Sequence, residues 1–189
     1  DIRNKSIIHA IPMDYKVDGN KIQGNIIGVR GNKLETKTLF VTYPLQCMNV
    51  LKKTLESAHV RVTDIVAGPI AESIPLLTKK QKVAGVALIN IGQAVTSLLV
   101  YEKNIPLLVS TIAVGGDDIT KDIALGMKVT LDEAEEMKCG RKTEPYSKRK
   151  VEEIIEARLE DLCEKITKEL TRISRAELLP AGIVVCGSS

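Results

Sequence analysis

Residues 90–96, Asn90-Ile91-Gly92-Gln93-Ala94-Val95-Thr96, lie between two apolar, β-branched runs inside 83–101, a pattern that reads as two strands joined by a tight turn. Such a turn can hold a phosphate with backbone N–H groups, and glycines let the main chain come close enough to the anion. Only Gly92 among the turn residues 92–94 is glycine. The residues alone leave three readings open: a phosphate loop, a phosphate loop that has lost equipment, or a plain hairpin. Gly115-Gly116 is a second place where backbone could meet a ligand, and it reads equally as an ordinary helix start. Other chemistry has little material. Cys47, Cys139, Cys163 and Cys186 are far apart, with no C-x-x-C pair and no neighbouring His at metal-ligand spacing, so they read as four free thiols in a reducing compartment. His9 and His59 stand alone and read as structural or surface residues. No nucleophile, histidine and carboxylate set suggests an independent hydrolase.

Composition narrows the classes further. A chain of 189 residues can bury a sizeable core as one large domain or two small ones. The net charge of +3 arises from well-mixed acids and bases, which gives no case for nucleic acid or an anionic membrane. With no Trp and Phe40 as its one Phe, the chain also lacks stacking platforms for bases. No apolar run reaches the roughly 18 residues of a membrane span, and no signal peptide precedes Asp1. The absence of an initiator Met, and an end just after a strand-like run, lead us to expect a fragment of a longer protein.

The elements that must position these residues follow from periodicity. Residues 6–17 read as a strand interrupted by Pro12, which an edge tolerates, and Asp18-Gly19-Asn20 is turn chemistry. Residues 34–42 alternate and are rich in β-formers. Met48, Leu51, Leu55 and Ala58 recur at helical spacing over 46–57, and 60–67 returns to strand. Gly68-Pro69 marks a boundary, 70–77 is a short helix, and 79–82 is a solvated turn. Strands at about 83–91, 95–101 and 105–113 form a meander. A helix from Gly115-Gly116 ends near Gly126, with acidic residues in its first turn. The next begins at Thr130 with Glu133 as its capping-box partner. Residues 141–150 read as an exposed basic loop, 151–173 as a long amphipathic helix, and 181–186 as a final buried strand.

In this order the chain resembles the second half of an actin-fold ATPase, and its phrases are similar to those of the FtsA family of bacterial division proteins. The matching words are H-A-I-P at 9, V-D-G at 17, I-I-G-V-R-G-N-K-L-E at 26 and G-V-A-L-I-N-I-G at 85. V-G-G-D-D-I-T-K-D-I-A-L-G at 114, A-E-E-M-K at 134, I-I-E-A-R at 154 and L-L-P-A-G-I-V-V at 178 follow. Each is weak alone, but together, in the family's order over nearly the whole chain, they are specific.

The resemblance implies an α/β (α+β) fold: an actin-like, ribonuclease H-like ATPase subdomain over 68–189, preceded by a small inserted α+β subdomain over 1–67. Residues 117–175 would include a shortened small subdomain. It implies ATP and Mg²⁺ as ligands, held by Asn90, Gly92, Gln93, Thr96, Gly115, Gly116, Glu135, Lys138 and Gly187, with no catalytic residue assigned. The family's second phosphate loop reads D-I-G-G-G-T-T-D, of which Ile91, Gly92 and Thr96 match. Asn90 keeps an oxygen but loses the charge that helps order Mg²⁺, and Gln93 and Ala94 replace glycines. Ser188 replaces the second glycine of the last nucleotide turn. Weakened nucleotide binding and poor hydrolysis are therefore expected. The implied role is a scaffold or membrane-tethering adaptor in cell division, with an FtsZ-like tubulin homologue or other division proteins as partners, and with self-association. The short link between the A-E-x-x-K helix and the long helix bears on the FtsZ contact. Nucleic acid is not an expected partner, and membrane contact would come only through a segment outside this chain. The implied location is cytoplasmic, at the inner face of the membrane. The alternatives are an active ATP-dependent switch and a PilM-like adaptor of a pilus or secretion assembly.

Overall fold

The computed structural model describes residues 3–22, 24, 26–141 and 147–187. Its first part is a three-stranded antiparallel sheet in the order β2-β1-β3, from β1 (Lys5–Val17), β2 (Asn20–Ile22) and β3 (Leu34–Pro44). Pro12 does not break β1. It lies at a register shift, and β2 pairs only with Tyr15, Lys16 and Val17, so the side of Pro12 away from β3 needs no amide. Asp18 and Gly19, both at positive φ, make the two-residue turn into β2. The Asp18 carboxylate also accepts from the Lys33 amide at 2.8 Å. Helix α1 (Leu45–Ser57) follows and buries Met48.

Residues 60–67 differ from expectation: they form no strand. The β propensity of Val60, Val62 and Val66 finds no partner edge, and strand character needs cross-strand neighbours more than local preference. The segment is tied instead at its end, where the Ala67 amide donates to His9 Nε2 at 3.0 Å. His9 is thus structural, as its isolation in the sequence suggested. Helix α2 (Gly68–Leu76) starts two residues before the expected 70, with Pro69 in its first turn, where a missing N–H costs nothing. Residues 79–82 are not a turn but the start of α3 (Lys79–Ala84). The Thr78 hydroxyl and the Gln81 side chain make a capping box there, which the polar composition concealed.

The second sheet runs β6-β5-β4-β7, from β4 (Val86–Ile91), β5 (Thr96–Glu102), β6 (Ile105–Ile112) and β7 (Ile183–Gly187). β4, β5 and β6 are the expected antiparallel meander, and β7 adds parallel to β4. In this chain β7 is an edge strand with Ile183 and Val185 exposed, so it is only half buried. Helices α4 (Gly116–Met127), α5 (Leu131–Lys138) and α6 (Lys148–Arg172) complete the fold. α4 runs one residue past Gly126 and stops at Lys128, which takes the left-handed conformation itself. α6 begins three residues earlier than its apolar stripe, and so absorbs the end of the expected loop, of which residues 142–146 lie outside the described residues.

Both faces of this sheet are covered. Ala87, Ile89, Leu98 and Val100 pack against Leu162, Ile166 and Leu170, one stripe of α6 at i, i+4, i+8. On the other face Val86, Leu88, Leu99 and Tyr101 receive Ile70 and Leu77 from α2 and its end. A third cluster joins Ile119, Ile123, Ala134, Met137 and Val151 between α4, α5 and α6. Arg158 fixes α6 on α4, with Nε and Nη2 meeting the two Asp122 oxygens at 2.6 and 3.0 Å. Such a bidentate pair holds orientation as well as distance.

Candidate functional site

The carboxyl ends of parallel strands are where open α/β sheets bind ligands. Here the pair is β4 and β7, with Ile91 beside Gly187. Gly187 has φ +133°, and a Cβ there would collide with the Ile91 carbonyl, so only glycine fits. The 92–95 loop leaves β4 at this point and is closed by the Gly92 amide donating to Val95 O at 3.0 Å. Among the described residues the amides of Gln93, Ala94 and Val95 make no hydrogen bond. Three successive free N–H groups at an exposed loop tip are the equipment an anion needs.

The loop is anchored from behind by the start of α4. Gly116 N–H donates to Gly92 O at 3.0 Å and Asp117 N–H to Gln93 O at 2.8 Å. Asp118, whose carboxylate accepts from Gly115 N–H at 3.0 Å, satisfies another amide, and that bond holds its carboxyl below the usual range. The amides at the start of α4 are therefore spent on the protein itself, and an anion would be met by the loop. Gly115 is required by contact: a Cβ there would strike Gln93 O and lie 2.6 Å from Gly92 O. Thr96 is fully buried, its hydroxyl donating to Val114 O at 2.8 Å. It positions the hairpin against 114–117 and does not reach the open space.

In front of the loop lies a groove of about 500 Å³ lined by Gln93, Asp117, Thr120, Leu131, Glu135 and Lys138, among others. Lys138 is only 13% exposed; its ammonium donates to Glu135 at 2.8 Å, to Thr120 Oγ1 at 3.1 Å and to Gly116 O at 3.3 Å. Thr120 Oγ1 is 2.6 Å from Glu135 Oε2. Lys138 first and Thr120 second hold the Glu135 carboxyl below its ordinary value. The structure thus brings Gln93, Glu135 and Lys138 to one groove, with Gly92, Gly115 and Gly116 behind it. Asn90 sits at the end of β4 on the opposite face of the sheet from the α6 contact, paired with Ser97 and Cys186. Ser188 lies outside the described residues. Sequence reasoning missed Thr120, the hub of the network; its place one turn beyond Gly116 was the available signal. Among the described residues no group of three His, Cys, Asp or Glu could hold a metal ion, and no helix is long and apolar enough to cross a membrane.

The family model for cell division protein FtsA matches residues 87–182, just over half of the chain. The chain belongs to the FtsA family. The FtsA protein of Pseudomonas aeruginosa is 26% identical over 98% of this chain and 50% of its own length. FtsA of Bacillus subtilis is 28% identical over 96% of this chain and 46% of its own. The chain therefore spans about half the length of the curated relatives it matches. Among solved structures, a PilM-PilN type IV pilus biogenesis complex aligns with a TM-score of 0.73 at 18% identity, over 98% of this chain and 50% of that one. MreB5 of Spiroplasma citri bound to ADP aligns with a TM-score of 0.58 at 19% identity, over 75% and 53%. These likenesses establish the actin-like ATPase fold.

Proposed function

We propose that this FtsA-family chain is the nucleotide-side half of an actin-like scaffold in cell division, one that binds ATP weakly and turns it over poorly. The observation that carries this reading is the 92–95 loop. Its three free amides open beside a groove lined by Glu135 and Lys138, so a nucleotide has a place to lie. Yet Asn90 offers no charge where a carboxylate would order magnesium, and Gln93 and Ala94 add side chains where backbone should meet phosphate. Phosphoryl transfer depends on metal and positioning, so loss of both affects turnover more than binding. In this reading Lys138 and Glu135 hold the ribose and base end, the loop holds the phosphates, and residues 1–67 form the inserted subdomain that serves self-association and contacts with division partners such as an FtsZ-like tubulin homologue. The site would sit on the cytoplasmic side, with membrane contact through another segment.

The test compares nucleotide affinity of the intact protein with that of Asn90→Asp, Gln93→Gly. The double variant should bind ATP with Mg²⁺ at least tenfold more tightly, and native affinity already equal to it would sink the weakened-site reading. The second reading is a PilM-like adaptor, favoured by an alignment to the PilM-PilN structure that includes the first sheet. An amphipathic carboxy-terminal helix in the intact protein, measured by vesicle binding, would favour the division scaffold.

A further inference from the structure

At the far end of β5 from the 92–95 loop, a cleft of about 670 Å³ crosses the junction between the two sheets. One wall comes from β1, β2 and β3; the other comes from the β5–β6 hairpin and the end of α6, and α2 takes no part. The floor is apolar: Met13, Leu39, Ile105 and Leu107 are half-buried there. Met13 owes its place to a bulge. β1 and β3 pair at Pro12 with Thr38 and at Asp14 with Lys37, so Met13 is the extra residue that the register shift leaves over. Phe40, the chain's one Phe, stands in the same lining and is 55% exposed. A large apolar side chain left open in a concave place and rimmed by charge is the make-up of an interaction site.

The rim is basic. Lys21, Lys37, Lys103, Arg172 and Arg175 outnumber Asp14 and Glu102 in the lining. Asp14 is taken by Lys21 at 2.8 Å and Glu102 by Arg175 at 2.7 Å, while Arg172 turns to Glu169 at 2.8 Å. Lys37 and Lys103, on opposite walls, make no ion pair among the described residues. Backbone fixes where both stand. Lys37 lies within β3, and Lys103 with Asn104 forms the two-residue turn between β5 and β6, both at positive φ. The amides of that turn donate to Val83 O at 3.0 Å and to Lys82 O at 2.8 Å, which pins the hairpin tip to α3. The two lysines also face one space: the Asp14 carboxyl, bonded first by Lys21, feels the charges of Lys103 and Lys37 and is held below its ordinary value.

We propose that this cleft docks an acidic segment of a partner protein, its carboxylates meeting Lys37 and Lys103 and an apolar side chain between them covering Phe40. Charge complementarity sets the sign of the partner, and the apolar floor calls for a side chain that a free anion lacks. The concave shape suits a short peptide better than a flat bilayer, and its volume, within the about 300–1,000 Å³ of ligand pockets, holds only a few side chains. Residues 1–67 supply one wall only, so this docking goes beyond the contacts read for that subdomain alone. The nucleotide groove lies at the other end of β5 and takes no part.

The experiment selects a displayed library of random peptides on the intact protein and measures the selected peptides by fluorescence anisotropy. Peptides that combine Asp or Glu with Leu or Phe should dominate. Their affinity should fall at least about fivefold in Lys37→Gln, Lys103→Gln and at least about threefold in Phe40→Ser. Added salt should weaken binding more steeply in the native protein than in the lysine variant. All three side chains are exposed, so both variants should keep the native unfolding midpoint, and ADP affinity should stay within about twofold. Selection of basic or uncharged peptides, or of peptides that bind the native protein and the lysine variant equally, would overturn the proposal. So would phosphatidylglycerol vesicles bound by the native protein but not by the lysine variant with no acidic peptide selected, which would assign the cleft to a lipid surface. Loss of self-association in the lysine variant, again with no acidic peptide selected, would overturn it in favour of a second copy of this chain.

Discussion

The two ends of the groove are built by different means. The loop end is main chain: the Gly92 and Gln93 carbonyls are held by α4 amides, and the tip amides make no hydrogen bond among the described residues. The helix end is side chain: Thr120, Glu135 and Lys138 bond one another and the Gly116 carbonyl. A main-chain site keeps its N–H groups whatever residue stands at its tip, although side chains there crowd the anion, while its base, where atoms are packed against backbone, admits no change. A side-chain site depends on residue identity at every member. The same chain can therefore carry an altered loop tip at Gln93 and Ala94 beside a complete Glu135-Lys138 pair.

Four substitutions separate these ends, in falling order of effect. Gly115→Ala places a methyl against the Gln93 carbonyl, so the loop or α4 must shift. A loss of about 1–3 kcal/mol of stability is expected, of the size overpacking produces, with nucleotide affinity falling along with it; denaturant unfolding and ligand titration check this. Thr96→Val should cost about 1–2 kcal/mol by leaving the buried Val114 carbonyl without its donor, visible as a lower unfolding midpoint at an unchanged m-value. Lys138→Ala should cost under about 1 kcal/mol of stability, because its partner Glu135 is 48% exposed and the pair is screened. Its effect should fall on nucleotide affinity, and equal affinity in native and variant protein would remove the helix end from the site. The smallest effect is in pH dependence. Because the Glu135 carboxyl is lowered in the folded state, its contribution is present above the unfolded value near 4.5 and is lost as pH falls through the folded one. The stability gap between native protein and Glu135→Gln should therefore be widest above pH 4.5 and close in more acid solution.

Much of the fold was legible because its signals are local. Alternation marked β4 to β6, the Thr130 and Glu133 pair marked the start of α5, and a stripe of Leu and Ile marked α6. The errors came where a neighbour decides. Residues 60–67 have strand composition but no edge to join, and 79–82 look like solvent-facing loop until Gln81 closes a capping box with Thr78. β7 reads as buried from its apolar run, whereas burial depends on what lies on both of its sides. Thr96 shows the same limit within the site: the resemblance implied ligand contact, whereas packing turns its hydroxyl inward to Val114.

By itself the amino-acid order determined the family phrases, most of the order of elements and the glycines at 92, 115 and 187. These depend on short-range periodicity and on residues with no side chain to misplace. Only the tertiary structure decided that Gly115 is required by contact with the 92–95 loop and Gly187 by contact with the end of β4, and that Thr120 links Lys138 to Glu135. Each of these joins residues that are distant in sequence, and their meeting depends on how helices pack across a sheet, which no local pattern records.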